Sequence, residues 1–348
     1  MIKDKMTYRW LWGCLFAGSL VLTGCSDSSE EDLVDPDNTL QLMSLTRTNG
    51  ATELVGTVGT DIKAFLTSAD EMIQDNGKFQ YTGLGWDSNL SVKEERQYYL
   101  YGYMPATIAG ATVDDSEPAG GYSEGIDLTF NNLPDITDED ICLIVGVQRV
   151  DGTGTATANV TEGNYSYLSG IRGKNYVNLL MGHLYSGLEL NFLLNATYAQ
   201  VRSIHLKTIT LTSTYGKVNA TVNIRKGRGI YQPSFTQASS ATNEATFLDT
   251  ETVLDNQYTV TPLAINQLVY CAPSIFDING TYLTLTSVYD VYDKNGNNLG
   301  ERTSENKLRI TASSLGPGQK KTVVITVKPT YLYVLSDGDL DNPEFEIN

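Results

Sequence analysis

The sequence predicts an all-β protein built from two tandem β-sandwich domains. Three observations point there. Threonine, valine, isoleucine and tyrosine are abundant from residue 38 onward, and glycine-containing turns recur at short intervals. Apolar residues alternate with polar ones in short runs, and no long apolar stripe recurs at the 3.6-residue spacing of a helix. The runs fall into two series, separated by a stretch at 148–176 that is rich in glycine, threonine, asparagine and tyrosine and poor in aliphatics. The boundary is expected near residue 178, giving domains 38–178 and 179–348.

Residues 38–46 (Asn-Thr-Leu-Gln-Leu-Met-Ser-Leu-Thr) form the first strand candidate, and 61–68 the second. In 96–104, Tyr99, Tyr101 and Tyr103 share one face, Tyr98 and Leu100 the other, and Pro105 ends the run. Segment 126–130 follows. Segment 141–147 is apolar on both faces, as a central strand requires. In the second series Leu188, Leu190, Phe192 and Leu194 alternate with Glu189, Asn191 and Asn195. Further candidates are 203–212, 217–225, 258–262, 268–273 and 282–292. Asn295-Gly296 is a hairpin signal, expected to supply the positive φ angles of a tight turn. Val323, Ile325 and Val327 alternate until Pro329 interrupts them, and Tyr331, Tyr333 and Leu335 resume on one face.

The N-terminus reads as an export signal. Lys3, Lys5 and Arg9 precede the apolar run 10–21, which is too short to span a bilayer comfortably. The run closes on Leu22-Thr23-Gly24-Cys25, which resembles the lipobox of bacterial lipoproteins. In such signals residues 1–24 are removed and Cys25 carries the lipid; each buried methylene contributes about 0.8 kcal/mol, so two or more acyl chains anchor stably. The alternative is an ordinary signal peptide with a coincidental cysteine. Residues 25–37 are acidic and lack apolar periodicity, so they read as a flexible tether. Acidic runs at this place resemble the surface-export signal of Bacteroidetes lipoproteins, or serve only as a spacer.

The 348-residue chain has a formal charge of −17, and losing Lys3, Asp4, Lys5 and Arg9 with the signal takes it to −19. That acidity argues against nucleic acid and against anionic membrane surfaces as partners. Beyond the signal and Cys25 only Cys142 and Cys271 remain, and both are expected as free buried thiols. Catalysis is not expected. The two histidines, His183 and His205, stand in no HExxH pattern, and the chain has no phosphate-cradling glycine loop. His205 shares a strand face with Ser203 and Lys207, which reads as a solvated face. Zinc needs clustered His and Cys, and the sequence spacing shows none. No cofactor is expected. The one segment suggesting a metal is Asp337, Asp339, Asp341 and Glu344, a carboxylate-rich stretch read as a calcium-type loop. It departs from the EF-hand pattern, with Asn342 at the sixth position and Asn348 at the twelfth.

Several segments resemble the fimbrillin-like family of Bacteroidetes surface lipoproteins, which contains pilins and adhesins. They are the lipobox, Leu-Gln-Leu-Met-Ser-Leu-Thr-Arg at 40–47, Tyr-Gly-Tyr-Met-Pro at 101–105 and the stretch from Lys328 to Pro343. Gly182-His183-Leu184 matches a recurrent histidine of that family only in part. The resemblance implies transthyretin-like or immunoglobulin-like sandwiches and a fimbrial subunit at the outer membrane. It also implies assembly by strand exchange with other copies or related pilin subunits, after a protease removes the first strand. Arg47 is then the expected processing residue, because it is the only Lys or Arg between Cys25 and Lys63. Cutting there would release Leu40, Leu42 and Leu45 with the lipid tether. The rival expectation is a non-polymerising surface lipoprotein that binds glycans or host ligands.

Overall fold

The computed structural model describes residues 38–47, 61–150, 160–273, 283–308, 316–330 and 339–347. They are almost entirely strand, arranged in four sheets. The first sheet holds β1 (Gln41–Arg47), β2 (Asp61–Thr67), β3 (Met72–Tyr81), β4 (Trp86–Ser88), β5 (Gln97–Met104), β9 (Cys142–Val150), β10 (Ser166–Leu168) and β11 (Tyr176–His183). Its order is β1-β11-β9-β5-β2-β3-β4, with β10 added to β5. The sheet curls until its ends meet: Leu40 N–H donates to the Leu90 carbonyl (2.8 Å) and Val92 N–H to the Asn38 carbonyl (3.0 Å). These bonds cover the edge only just ahead of β1, at residues 38–40. The interior is filled by Leu40, Leu45, Ile62, Phe79, Leu100 and Leu179 with their neighbours.

The opposite face of this sheet is also apolar. Phe65, Tyr101, Tyr103, Leu143 and Val145 share a core with the second sheet, made of β6 (Thr112–Ser116), β7 (Gly125–Pro134), β14 (Lys217–Arg225) and β15 (Gly229–Ser239). Tyr103 meets Phe130 edge-on at 5.4 Å between ring centroids. β5 therefore carries two buried faces, which is why its tyrosines alternate with leucine and glycine instead of with charges.

The third sheet comprises β8 (Ile136–Thr137), β12 (Ser186–Leu194), β18 (Leu263–Cys271), β21 (Lys320–Thr330) and β22 (Asp339–Ile347). The fourth comprises β13 (Arg202–Ser213), β16 (Asn243–Leu248), β17 (Thr252–Leu254), β19 (Leu283–Asp293) and β20 (Asn298–Leu308). Phe345 of β22 bridges these two sheets, touching Phe192 at 6.2 Å and Tyr289 at 4.7 Å. One helical turn, α1 (Ala196–Ala199), links β12 to β13 and is capped by the Asn195 side chain. No helix among the described residues is long and apolar enough to cross a membrane.

Three strands cross between the halves of the chain. The hairpin β14–β15 pairs with β7, and β8 pairs with β18. The sequence boundary at residue 178 falls inside β11.

The structure corrects several local readings. The strand candidate at 258–262 is not a strand: Asp255 caps a short 3-10 turn over 256–258, and β18 begins after Pro262. β21 runs through Pro329, because its register with β22 shifts between Lys328 and Thr330, where the missing N–H does no harm. The 148–176 stretch between the two series is partly strand, since β9 extends to Val150 and 166–168 form β10. At the Asn295-Gly296 hairpin only Gly296 has positive φ (83°). There the Asp293 carboxylate accepts from the backbone N–H groups of Asn295 (2.8 Å) and Asn297 (2.9 Å). Cys142 and Cys271 are free and buried, as expected. Tyr331, Tyr333 and Leu335 lie outside the described residues.

Candidate functional site

The first strand and its seat form the candidate site. β1 lies parallel to β11, from Gln41 opposite Tyr176 to Arg47 opposite Met181. Alternation dictates which residues enter the core: Leu40 and Leu42 point inward, and a register shift between Leu42 and Ser44 turns Leu45 inward as well. Leu40, Leu42 and Leu45 are 0, 5 and 2 % exposed, while Met43 at the shift is 40 % exposed. Each buried leucine contributes about 1.5–3 kcal/mol to seating the strand. Gln41 N–H donates to the Asn175 carbonyl (2.8 Å) and Thr46 Oγ1 to the Leu179 carbonyl (3.3 Å).

Arg47 is the last residue of β1, not a loop residue. Its guanidinium pairs with the Asp140 carboxylate, Nη1 to Oδ2 at 2.8 Å. The other oxygen, Oδ1, lies 2.9 Å from His183 Nδ1, and Cys142 Sγ lies 3.6 Å from that same nitrogen. Cys142 and His183 are direct cross-strand partners on β9 and β11. Burial pushes the Cys142 thiol well above its ordinary value, and the nearby Asp140 charge adds to this. Burial also pushes the neighbouring Tyr270 hydroxyl up to about 12, with Asp140 adding and Arg47 opposing. A nucleophilic triad needs the base to use both ring nitrogens, one toward the nucleophile and one toward the orienting acid. Here a single nitrogen faces both groups, so the arrangement does not activate the thiol. It holds a cation instead: Arg47 pairs with the carboxylate that His183 and Cys142 flank.

The remaining expected site residues are dispersed. Cys25 and Asp337 lie outside the described residues. The segment 339–347 is a strand and not a loop: Asp341 pairs with Arg202 at 2.9 Å and Glu344 approaches Lys328 at 4.0 Å. His205 stacks on Tyr292 at 4.0 Å and contacts Glu251 at 2.6 Å. A surface cleft of about 630 Å³ is lined by Glu95, Arg149, Leu168, Ile171 and Lys174 among others, and its wall has no aromatic ring among the described residues for a sugar to stack on. Sequence reasoning singled out Arg47 alone, and did not group Asp140, Cys142 and His183 around it. Only the β9–β11 register brings the latter two together.

The buried acids give a pH prediction. Cys142, Cys271, Tyr270 and Tyr289 are all held protonated by burial, the two tyrosines up to about 12. The unfolded chain ionises first, from about pH 8.5 for thiols and about pH 10 for tyrosines. Their stabilising contribution is therefore full below about pH 8.5 and is lost as pH rises through the folded values. Urea midpoints followed by circular dichroism should be level from pH 6 to 8 and lower at pH 10; an unchanged midpoint at pH 10 would refute this.

No protein-family model matches the chain, and no curated protein matches it. Among solved structures it is similar to a fimbrial protein from Bacteroides vulgatus ATCC 8482. That match has 13 % identity and a TM-score of 0.45, covering 89 % of this chain and 98 % of that one. It is also similar to a proposed cell adhesion protein from Bacteroides uniformis ATCC 8492, with 13 % identity and a TM-score of 0.40, covering 90 % of this chain and 98 % of that one.

Proposed function

We propose that this chain is a non-catalytic subunit of a surface fimbria, lipid-anchored through Cys25 at the outer membrane. It assembles when cleavage after Arg47 releases β1 and a strand from another copy or a related subunit takes its place. The observation that carries this reading is the placement of β1. It is the terminal strand of its sheet, it holds Leu42 and Leu45 in the interior with Leu40 just ahead of it, and it ends on Arg47. Its departure would uncover the backbone edge of β11 together with Val177, Leu179 and Met181. An extended strand satisfies such an edge and such a groove at once. The lipobox and the fimbrillin-like segments at 40–47 and 328–343 support the same reading.

Mild trypsin treatment tests it. The expected result is a new N-terminus at Thr48, with a ladder of oligomers that resist SDS. A chain that is cut after Arg47 yet stays monomeric would overturn strand exchange. A monomer unchanged by protease that shifts on glycan-containing gels would favour ligand capture instead.

A further inference from the structure

We propose that Asp140, Cys142 and His183 form a latent zinc site that Arg47 keeps shut while β1 is seated. Carboxylate, thiolate and imidazole are the donor types zinc selects. Their ligand atoms already lie within 4.8 Å of one another. With Zn–S near 2.3 Å and Zn–N near 2.0 Å, tetrahedral geometry sets sulfur and nitrogen about 3.5 Å apart. Cys142 Sγ and His183 Nδ1 stand at 3.6 Å. The Asp140 Oδ1 to His183 Nδ1 separation, 2.9 Å, has only a few tenths of an ångström to open. The donors are also held in place, two as direct partners across a strand pair and the third two residues before Cys142.

Charge explains why Arg47 and the metal exclude each other. Arg47 and Asp140 together are neutral, and the side chain of Asp140 is only 8 % exposed. When β1 leaves, it takes the guanidinium and abandons a buried carboxylate, which is costly unless another cation arrives. Zinc supplies one. It binds the carboxylate and the imidazole, displaces the Cys142 proton to water, and bonds the resulting thiolate. The 2+ ion with one carboxylate and one thiolate is again neutral, and a water fills the fourth position. Metal in this site would then mark a subunit whose groove no basic residue closes.

The occasion for opening rests on the release of β1 proposed above, but the site itself is testable without cutting. Cobalt(II) is the probe, added to the untagged full-length chain carrying R47Q, or R47M should R47Q fold poorly by circular dichroism. The expected result is a thiolate-to-cobalt charge-transfer band with the intense visible bands of a tetrahedral ion. Affinity should be at least about tenfold tighter than in the parent chain, a gap of about 1.4 kcal/mol. R47Q/C142S should lose the charge-transfer band. Folded R47Q without these bands, or bands that persist in R47Q/C142S, would overturn the proposal. Cobalt bands in uncut R47Q would stand even if trypsin fails to release β1, so the two readings fail separately.

Discussion

Replacing Leu45 by aspartate should accelerate cleavage after Arg47 by roughly 10²- to 10³-fold. Leu45 is 2 % exposed inside the curled first sheet, where a carboxylate finds apolar neighbours. An unpaired buried charge costs several kcal/mol. A central strand could relieve that only by global unfolding, but β1 is terminal and can detach alone. About 3–4 kcal/mol therefore goes into local opening, and protease access follows the open population when reclosing is fast. Met43→Asp is the matched control, because Met43 is 40 % exposed and its substitution should change the rate little. Timed electrophoresis with N-terminal sequencing reads both variants. Equal rates for the two would remove β1 as the gate.

The second large effect is expected at Asp135, between β7 and β8. Asp135 is fully buried, and its carboxylate accepts from Ser213 Oγ and Asn243 Nδ2. Its backbone N–H donates to the Gly216 carbonyl at 3.0 Å, and its carbonyl accepts from Ala272 N–H at 2.8 Å. One residue thus ties the end of the second sheet to strands of the third and fourth. Hydrogen bonds to a charged group contribute about 1.5–3 kcal/mol each, and removing the acceptor leaves buried donors unsatisfied. Asp135→Ala should cost about 3 kcal/mol or more and lower the urea midpoint by roughly 1 M at unchanged slope. Asp135→Asn keeps an acceptor oxygen and should fall less. A midpoint within error of the parent would refute the joint.

Much of the fold could be read before the coordinates, and the misses have a common cause. Strands with one buried face declare themselves: Leu188 to Leu194 and Val218 to Ile224 alternate in the sequence as they do in burial. β5 and β9 declare themselves by being apolar on both sides. β3, β15 and β20 were not legible, because they pair along their backbones while few of their side chains are buried. β11 was hidden by the expected boundary at 178. Arg47 was legible as a lone basic residue after an alternating run. The group around it was not, because Cys142 and His183 meet only through cross-strand register.

The hairpin β14–β15 has a consequence for the order of events in folding. Ile126 is paired with Ile224, and Thr129 with Thr221. In a chain delivered N-terminus first, β6 and β7 cannot complete their sheet until residue 239 has followed them. Closing so long a loop adds little to the thermodynamic cost but much to the delay. The second sheet of the nascent polypeptide is thus kept pliable through roughly the first two thirds of synthesis, until the hairpin that completes it emerges.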